Sequence, residues 1–246
     1  MSGASSEAEL PSQRLSKVVA ARVPCSRSEA ERYIAEGWVK VDGQRVDQPQ
    51  FRVTAANRVE VDPQAKLQPQ LPVTLLLHKP AGVAFDAAAR ELLGAAQHWA
   101  GDSSGIRRAQ THAVGLKPLL ALGPQSSGLC VFSQDPRIVR KLTEEAALVE
   151  QELIAEVTGT PTPDALARMA AGLQRDGRRL PSCRVSWQSE ARLRFAAKGL
   201  GGDDIDWMCA QMGLRLAALK RIRIGRVPMA ALPAGQWRYL PPGERF

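Results

Sequence analysis

The stretch Leu119-Leu120-Ala121-Leu122-Gly123-Pro124-Gln125-Ser126-Ser127-Gly128-Leu129-Cys130-Val131-Phe132-Ser133-Gln134-Asp135 sets how the rest of the chain is read. A loop with Gly123, Pro124 and Gly128 runs into an apolar strand at residues 129–132, and the chain turns after Asp135. Small residues ahead of a strand let the backbone come close to a ligand, so this is a loop of the kind that carries sites. Beyond Ser126 and Ser127, however, it offers no acid, base or nucleophile.

Composition narrows the classes. The chain has 246 residues, 44% of them hydrophobic, enough for a sizeable core in one large or two modest domains. The formal net charge is +8 and the sequence pI about 9.7. That balance favours an anionic partner, nucleic acid first and an acidic membrane surface second. Nothing resembles a signal peptide or a spanning helix. Residues 1–12 are small, polar and acidic and are expected to form a disordered leader of a cytoplasmic protein. Cys25, Cys130, Cys183 and Cys209 lie far apart, are expected to be reduced and packed, and with the three histidines make no metal-ligand spacing. No metal and no membrane partner are expected.

Residues 13–21 predict a short helix with Leu15, Val18 and Val19 on one face. Ser26 and Glu29 have capping-box spacing for a second helix, which turns Ala30, Tyr33 and Ile34 inward and stops at Gly37. The strand 39–41, the turn Asp42-Gly43 and Arg45-Val46 form a hairpin signal, and a further strand follows at 58–61. Arg14, Lys17, Arg27, Arg32 and Lys40 are the candidate RNA-binding residues, cations suited to a phosphate backbone. Arg14-Leu15-Ser16-Lys17, Ser26-Arg27-Ser28-Glu29-Ala30 and Ile34 through Gly37-Trp38-Val39-Lys40-Val41-Asp42-Gly43 resemble the S4-type (alpha-L) RNA-binding domain, over residues 13–62.

Residues 63–72, rich in Pro and Gln, read as a linker. From 73 onward strands outnumber helices: strands at 73–77, 153–157, 183–187, 193–195 and 216–227, helices at 92–99, 136–145, 165–172 and 205–212, and a hairpin at Asp176-Gly177. The expectation is an α+β chain with a small helical RNA-binding domain followed by a mixed, mainly antiparallel-sheet domain over 73–246.

His78-Lys79-Pro80-Ala81-Gly82 resembles the "NKPxG" opening of pseudouridine synthase domains, with histidine in place of asparagine. The segment order after residue 73, ending in Ile222-Arg223-Ile224 and Leu232-Pro233-Ala234-Gly235-Gln236-Trp237-Arg238, is similar to the RNA pseudouridine synthases that carry an S4-type domain in front, in the ribosomal large-subunit branch. The resemblance implies uridine isomerisation without a cofactor, on RNA, ribosomal RNA or a ribosomal subunit being the expected partner. The target base must leave its stack, and the chemistry needs a carboxylate beside the sugar.

The family places that carboxylate in a "GRLDxxTxGL" loop. Aligned on Leu122 and Gly128-Leu129, the aspartate position is Gly123 and the arginine position Ala121. The family's "KxYxV" tyrosine falls on Leu153, and its basic "RQIRRM" run falls on Asp203-Asp204-Ile205-Asp206-Trp207-Met208. No catalytic residue is therefore assigned, and impaired or absent isomerase activity is expected, the frame being kept without its reacting groups. Two alternatives remain at this point. A displaced acid, Asp86, Asp135 or Asp204, could sustain the reaction, or the acidic rim at 203–206 could bind a basic protein in ribosome assembly. The basic strand at 220–226 is a further candidate for RNA contact. The volume around Gly123 discriminates: a filled site supports lost chemistry, and an open one holding a carboxylate from elsewhere supports retained chemistry.

Overall fold

The computed structural model describes residues 12–65 and 71–246. The expected leader lies, but for Ser12, outside them, as does the middle of the expected linker, residues 66–70. Two compact units are present: Met1–Leu71 with Arg107–Gly115, and Pro72–Ile106 with Leu116–Phe246.

In the first unit, β1 (Gln13–Arg14) leads directly into α1 (Leu15–Arg22), and α2 (Arg27–Ala35) follows. Ser26 caps α2: its hydroxyl accepts from Glu29 N–H at 3.2 Å while the Glu29 carboxylate accepts from Ser26 N–H at 2.8 Å. Gly37 takes φ +73°, the left-handed conformation that ends a helix cheaply only in glycine. β2 (Val39–Val41) and β3 (Gln44–Arg45) form the expected hairpin, with Asp42 and Gly43 both at positive φ as a tight two-residue turn requires. β4 (Arg52–Val53) pairs with β1, and β5 (Val59–Val61) pairs with β2. The β1–β4 pair joins residues 13–14 to 52–53, too short and too distant for sequence periodicity to show. Leu15, Val19, Ala30, Ile34, Val39, Val41, Val53 and Val59 close over one small core.

Residues 107–115 complete this unit. The Arg107 guanidinium lies 4.0 Å over the Trp38 ring and 3.3 Å from the Asp62 carboxylate, and Arg108 pairs with Asp47 at 2.9 Å.

The second unit is a nine-stranded mixed sheet. In chain order its elements are β6 (Thr74–Lys79), α3 (Ala87–Glu91), β7 (Lys117–Leu119), β8 (Ser127–Ser133), α4 (Pro136–Thr143), β9 (Glu150–Gly159), α5 (Ala165–Ala171), the small hairpin β10 (Gln174–Arg175) and β11 (Arg178–Arg179), β12 (Cys183–Ser189), β13 (Arg192–Lys198), α6 (Gly202–Gln211), β14 (Leu214–Ile224), β15 (Val227–Pro228) and β16 (Trp237–Tyr239). The strand order is β12-β13-β9-β14-β8-β6-β16, with β15 on β14 and β7 on β8. Among the described strands β8 and β14 pair in parallel, at Lys220↔Ser127 and Arg221↔Gly128, and the other strand pairs are antiparallel. The chain is α+β, as expected.

The expected helix at 92–99 does not form. Asp86 instead caps α3, its carboxylate accepting from Ala88 N–H at 2.9 Å, and a 3-10 turn covers Ala95–Gln97. Gly94 interrupts the helical run, and tertiary pairing takes the rest: Trp99 N–H donates to Trp237 O at 2.8 Å. Asp135, expected as a turn residue, caps α4 by accepting from Arg137 N–H at 2.8 Å.

On one face of the sheet Glu150, Glu152 and Glu156 of β9 meet arginines from β12, β13 and β14. Arg223 reaches Glu150 at 2.5 Å and Glu152 at 2.6 Å, Arg184 reaches Glu150 at 3.0 Å, Arg192 reaches Glu156 at 2.6 Å, and Arg194 bonds Glu152. Of the four cations expected at 220–226 two are thus taken up within the fold, while Lys220 is half-buried and Arg226 exposed. Arg223 is neutralised by this ladder and Arg221 is buried.

Hydrogen bonds from Arg223 hold the Glu150 carboxyl below the usual carboxylate range. For Glu152 burial acts upward, but hydrogen bonds from Arg223 and Arg194 outweigh it and its carboxyl also lies low. A depressed carboxyl adds stability above its unfolded pKa of about 4.3 and loses it as pH falls through the folded value. Urea unfolding across pH should therefore show stability falling below about pH 4.5. Glu152→Gln should lower stability at pH 7 by about 1–3 kcal/mol and flatten that acid limb.

Candidate functional site

The loop between β7 and β8 is fastened through backbone carbonyls. Arg221 of β14 donates from Nε to Leu129 O at 2.8 Å, from Nη2 to Leu120 O at 2.8 Å, and from Nη1 to Gln151 Oε1 at 3.0 Å. Its side chain thus ties both ends of the loop to β9. Lys79, fully buried at the end of β6, donates its three ammonium protons to Pro80 O, Val83 O and Pro124 O at 3.0, 2.5 and 3.1 Å. Gly82 N–H adds a bond to the same Pro124 O at 2.9 Å. Burial pushes both the Lys79 ammonium and the Arg221 guanidinium below their ordinary ranges. The residue ahead of Lys79, His78, is 6% exposed, and its Nδ1–H donates to Leu232 O at 2.8 Å, which ties β6 to the C-terminal segment.

Gly128 marks the closest approach. It has φ +111°, and a Cβ built there would fall 2.2 Å from Arg221 O and 2.6 Å from Arg221 N. Glycine is required because two backbones touch. Gly123 is the opposite case: its φ is ordinary, and a Cβ there would meet only Ser126 Oγ, at 3.7 Å.

That space opens into a cavity of about 920 Å³ whose walls include Ala121, Gly123, Gln151, Leu153, Asp204 and Arg221. The positions set aside by sequence as the missing arginine, aspartate and tyrosine, residues 121, 123 and 153, therefore converge on one volume, joined by the start of α6. The cavity is open rather than filled. Of the three displaced-acid candidates, Asp204 lies in its wall; Asp86 and Asp135 serve as helix caps elsewhere.

Asp204 is heavily engaged. Its carboxylate accepts from Gly201 N–H at 3.1 Å, closing the first turn of α6, and pairs with Arg175 at 3.0 Å and Arg178 at 3.3 Å. The acidic rim expected at 203–206 is thus compensated at its centre by the β10–β11 hairpin, which Asp176 (φ +48°) and Gly177 (φ +75°) turn tightly enough to bring both arginines to one carboxylate. Sequence reasoning found the hairpin but not its arginines. The spacing Arg-Asp-Gly-Arg around a two-residue turn is the signal that would have placed them together. Asp203 and Asp206 remain exposed.

In the first unit Arg14, Lys17, Arg27 and Lys40 are exposed and Arg32 is half-buried. Arg14 is the N-cap residue of α1, Arg27 opens α2, and Lys40 stands out from β2 between buried Val39 and Val41. Arg27 and Arg32 pair with Glu31 and Glu36, each at 3.3 Å along α2. Such surface pairs are worth about 0.3–0.5 kcal/mol and give way readily to a phosphate.

Comparison with known proteins follows this division. Residues 13–59 match the family described as S4 domain. Over 242 residues, 95% of this chain and 77% of the other, the sequence is 26% identical to the dual-specificity RNA pseudouridine synthase RluF of Escherichia coli (strain K12). It is 29% identical over 171 residues, 69% of this chain and 66% of the other, to the ribosomal large subunit pseudouridine synthase B of Bacillus subtilis (strain 168). A crystal structure of a pseudouridylate synthase aligns with a TM-score of 0.58 at 18% identity, covering 92% of this chain and 95% of that one, which shows a shared fold. An S4 domain followed by a pseudouridine synthase fold defines the class. By sequence and architecture together, the chain carries an S4 domain and is similar to the RNA pseudouridine synthases along nearly its whole length.

Two glycines of the loop give a paired test. Gly128→Ala should destabilise the protein by about 1–3 kcal/mol in urea unfolding, through strain at positive φ and overlap with Arg221. Gly123→Ala should change stability by less than about 0.5 kcal/mol, because its methyl group enters open space.

Proposed function

We propose that this chain is an RNA-binding protein of the pseudouridine synthase fold that contacts ribosomal RNA, free or in an assembling subunit, without isomerising uridine. One observation carries the reading. The cavity at the family's reaction site has Gly123 where a carboxylate is needed; of the acids in its wall, Asp204 is committed to a helix start and two arginines, and Asp176 and Asp203 are exposed to solvent. A carboxylate held by three donors is a poor nucleophile and a poor base, since each bond stabilises the charge it would have to share with a reacting sugar. Ala121 and Leu153 supply neither the cation nor the aromatic ring that the family's motifs carry at those positions. Losing a required reacting group costs several orders of magnitude in rate, about 4 kcal/mol or more of barrier.

Binding is assigned to the S4 domain, whose exposed Arg14, Lys17, Arg27 and Lys40 supply phosphate contacts. The relatives' names point to large-subunit ribosomal RNA as the target class. No cofactor and no metal enter this reading.

A second reading has one observation in its favour. Asp204 does stand in the cavity wall with Arg175 and Arg178 beside it, an acid with cations at hand. If Asp204 shed those partners when RNA arrived, the site would hold a displaced acid.

Mass detection of pseudouridine in ribosomal RNA incubated with the pure protein separates the two. The expected result is no pseudouridine from the wild type. Pseudouridine that disappears in Asp204→Asn would establish the second reading instead. In filter binding, the triple change Arg14→Glu, Lys17→Glu and Arg27→Glu should weaken RNA affinity at least tenfold and flatten its salt dependence. Unchanged affinity would remove the S4 domain from the interface.

A further inference from the structure

We propose that the cavity beside Gly123 is an oxyanion site: a carboxylate or phosphate group of a ligand seats against Arg221, in the volume that the absent Gly123 side chain leaves open. This rests on the reading above in one respect, that no carboxylate of this chain works in the cavity.

The first observation is an uncompensated charge. Arg221 is 3% exposed, lines the cavity, and has only neutral partners: Leu129 O, Leu120 O, Gln151 Oε1 and Cys130 Sγ. Among the described residues no carboxylate pairs with it. A buried cation held by carbonyls alone has its dipoles satisfied and its charge unbalanced, so an anion brought within reach is strongly favoured. Nη1 makes a single contact, to Gln151, and so keeps a second N–H for a ligand oxygen.

Lys79 lies behind the same loop and acts in the same direction. It too donates only to carbonyls, and Arg221 contributes to holding its ammonium below the ordinary lysine range, so the two cations are electrostatically close. Beneath the cavity floor the fixed charge is therefore positive.

Space is the third observation. A cavity of about 920 Å³ lies within the range that holds small molecules, and a Cβ on Gly123 would touch nothing nearer than Ser126 Oγ. Three acids line the wall, Asp176, Asp203 and Asp204: Asp204 is shared between Arg175 and Arg178, Asp176 pairs with Arg175 at 3.7 Å, and the charges of Asp176 and Asp203 are exposed to solvent, which screens them. The positive end of α6, ten residues long, borders the opening through Gly201 and Gly202.

The ligand chemistry is an oxyanion, and two sources could present it: the phosphate of a nucleotide, or a free small anion. The full-length protein, without RNA, should be titrated calorimetrically with inorganic phosphate, acetate, uridine 5′-monophosphate and uridine. Phosphate, acetate and the nucleotide should bind saturably, and uridine at least tenfold more weakly than the nucleotide. A nucleotide at least tenfold tighter than inorganic phosphate assigns the anion to a nucleotide; equal affinities assign it to a free ion. Gly123→Asp, which supplies an internal carboxylate, should weaken anion binding at least tenfold, whereas Gly123→Asn, similar in size but uncharged, should stay within threefold of the wild type. Circular dichroism confirms that both variants fold. Absence of saturable binding by any of the anions, equal losses in both variants, or uridine binding as well as its monophosphate would each overturn the proposal. Because neither RNA nor isomerisation enters the measurement, its failure leaves RNA binding by the S4 domain standing. Conversely, pseudouridine formation would remove the premise without altering the titration.

Discussion

A guanidinium with almost no exposure holds the central loop of this protein at both ends. Arg221 reaches Leu120 O before the loop, Leu129 O after it, and Gln151 on the neighbouring strand. Burying such a charge is expensive, and good geometry alone offsets the cost. Here the geometry is set by the backbone: Gly128 lets β8 come against β14 at Arg221 itself, closer than any side chain would allow. A one-residue shift of β14 would turn Arg221 to the other face of the sheet and leave those carbonyls without it. The buried cation and the parallel pairing of β8 with β14 specify each other.

The fastening of the loop explains how its frame tolerates changes in the side chains it carries. Arg221 and Lys79 bind main-chain oxygens of the loop, at Leu120, Pro124 and Leu129, and Lys79 binds those of its own turn, at Pro80 and Val83. A carbonyl is present whatever side chain the residue bears. Residues 121 and 123 can therefore become alanine and glycine with the loop unchanged, whereas Gly128, Lys79 and Arg221 cannot change without moving it. The positions that shape the cavity and those that would react in it are structurally independent, although they alternate along one short stretch of sequence.

Local signals were legible. Ser26 and Glu29 mark a helix start because both partners of the capping box lie within one turn, and Asp42-Gly43 marks a hairpin because only a few residue types tolerate its dihedral angles. The convergence of residues 121, 123 and 153 was legible only through the family resemblance. What could not be read depends on distance along the chain. The β1–β4 pair, the return of residues 107–115 to the first unit and the capture of Trp99 by Trp237 join segments 38 or more residues apart. At Leu92–Trp99 that capture overrode an apolar run that reads as helix.

Charge was the most misleading quantity, for the same reason. Asp203, Asp204 and Asp206 look like an acidic rim in a window of four residues, and Lys220, Arg221, Arg223 and Arg226 like a basic strand in a window of seven. In three dimensions the middle aspartate belongs to two arginines from a hairpin 26 and 29 residues earlier, and Arg223 belongs to glutamates more than 70 residues away. A sheet brings distant strands within 5 Å, so the sign of a short segment says little about the field above it. Cations of two kinds stand apart from these pairings. Arg14, Lys17 and Lys40 are exposed on a helical domain with the S4 signature, where a polyanion can meet them. Arg221 is the other: buried, satisfied in its dipoles and unbalanced in its charge, it can answer only to something small enough to enter the cavity.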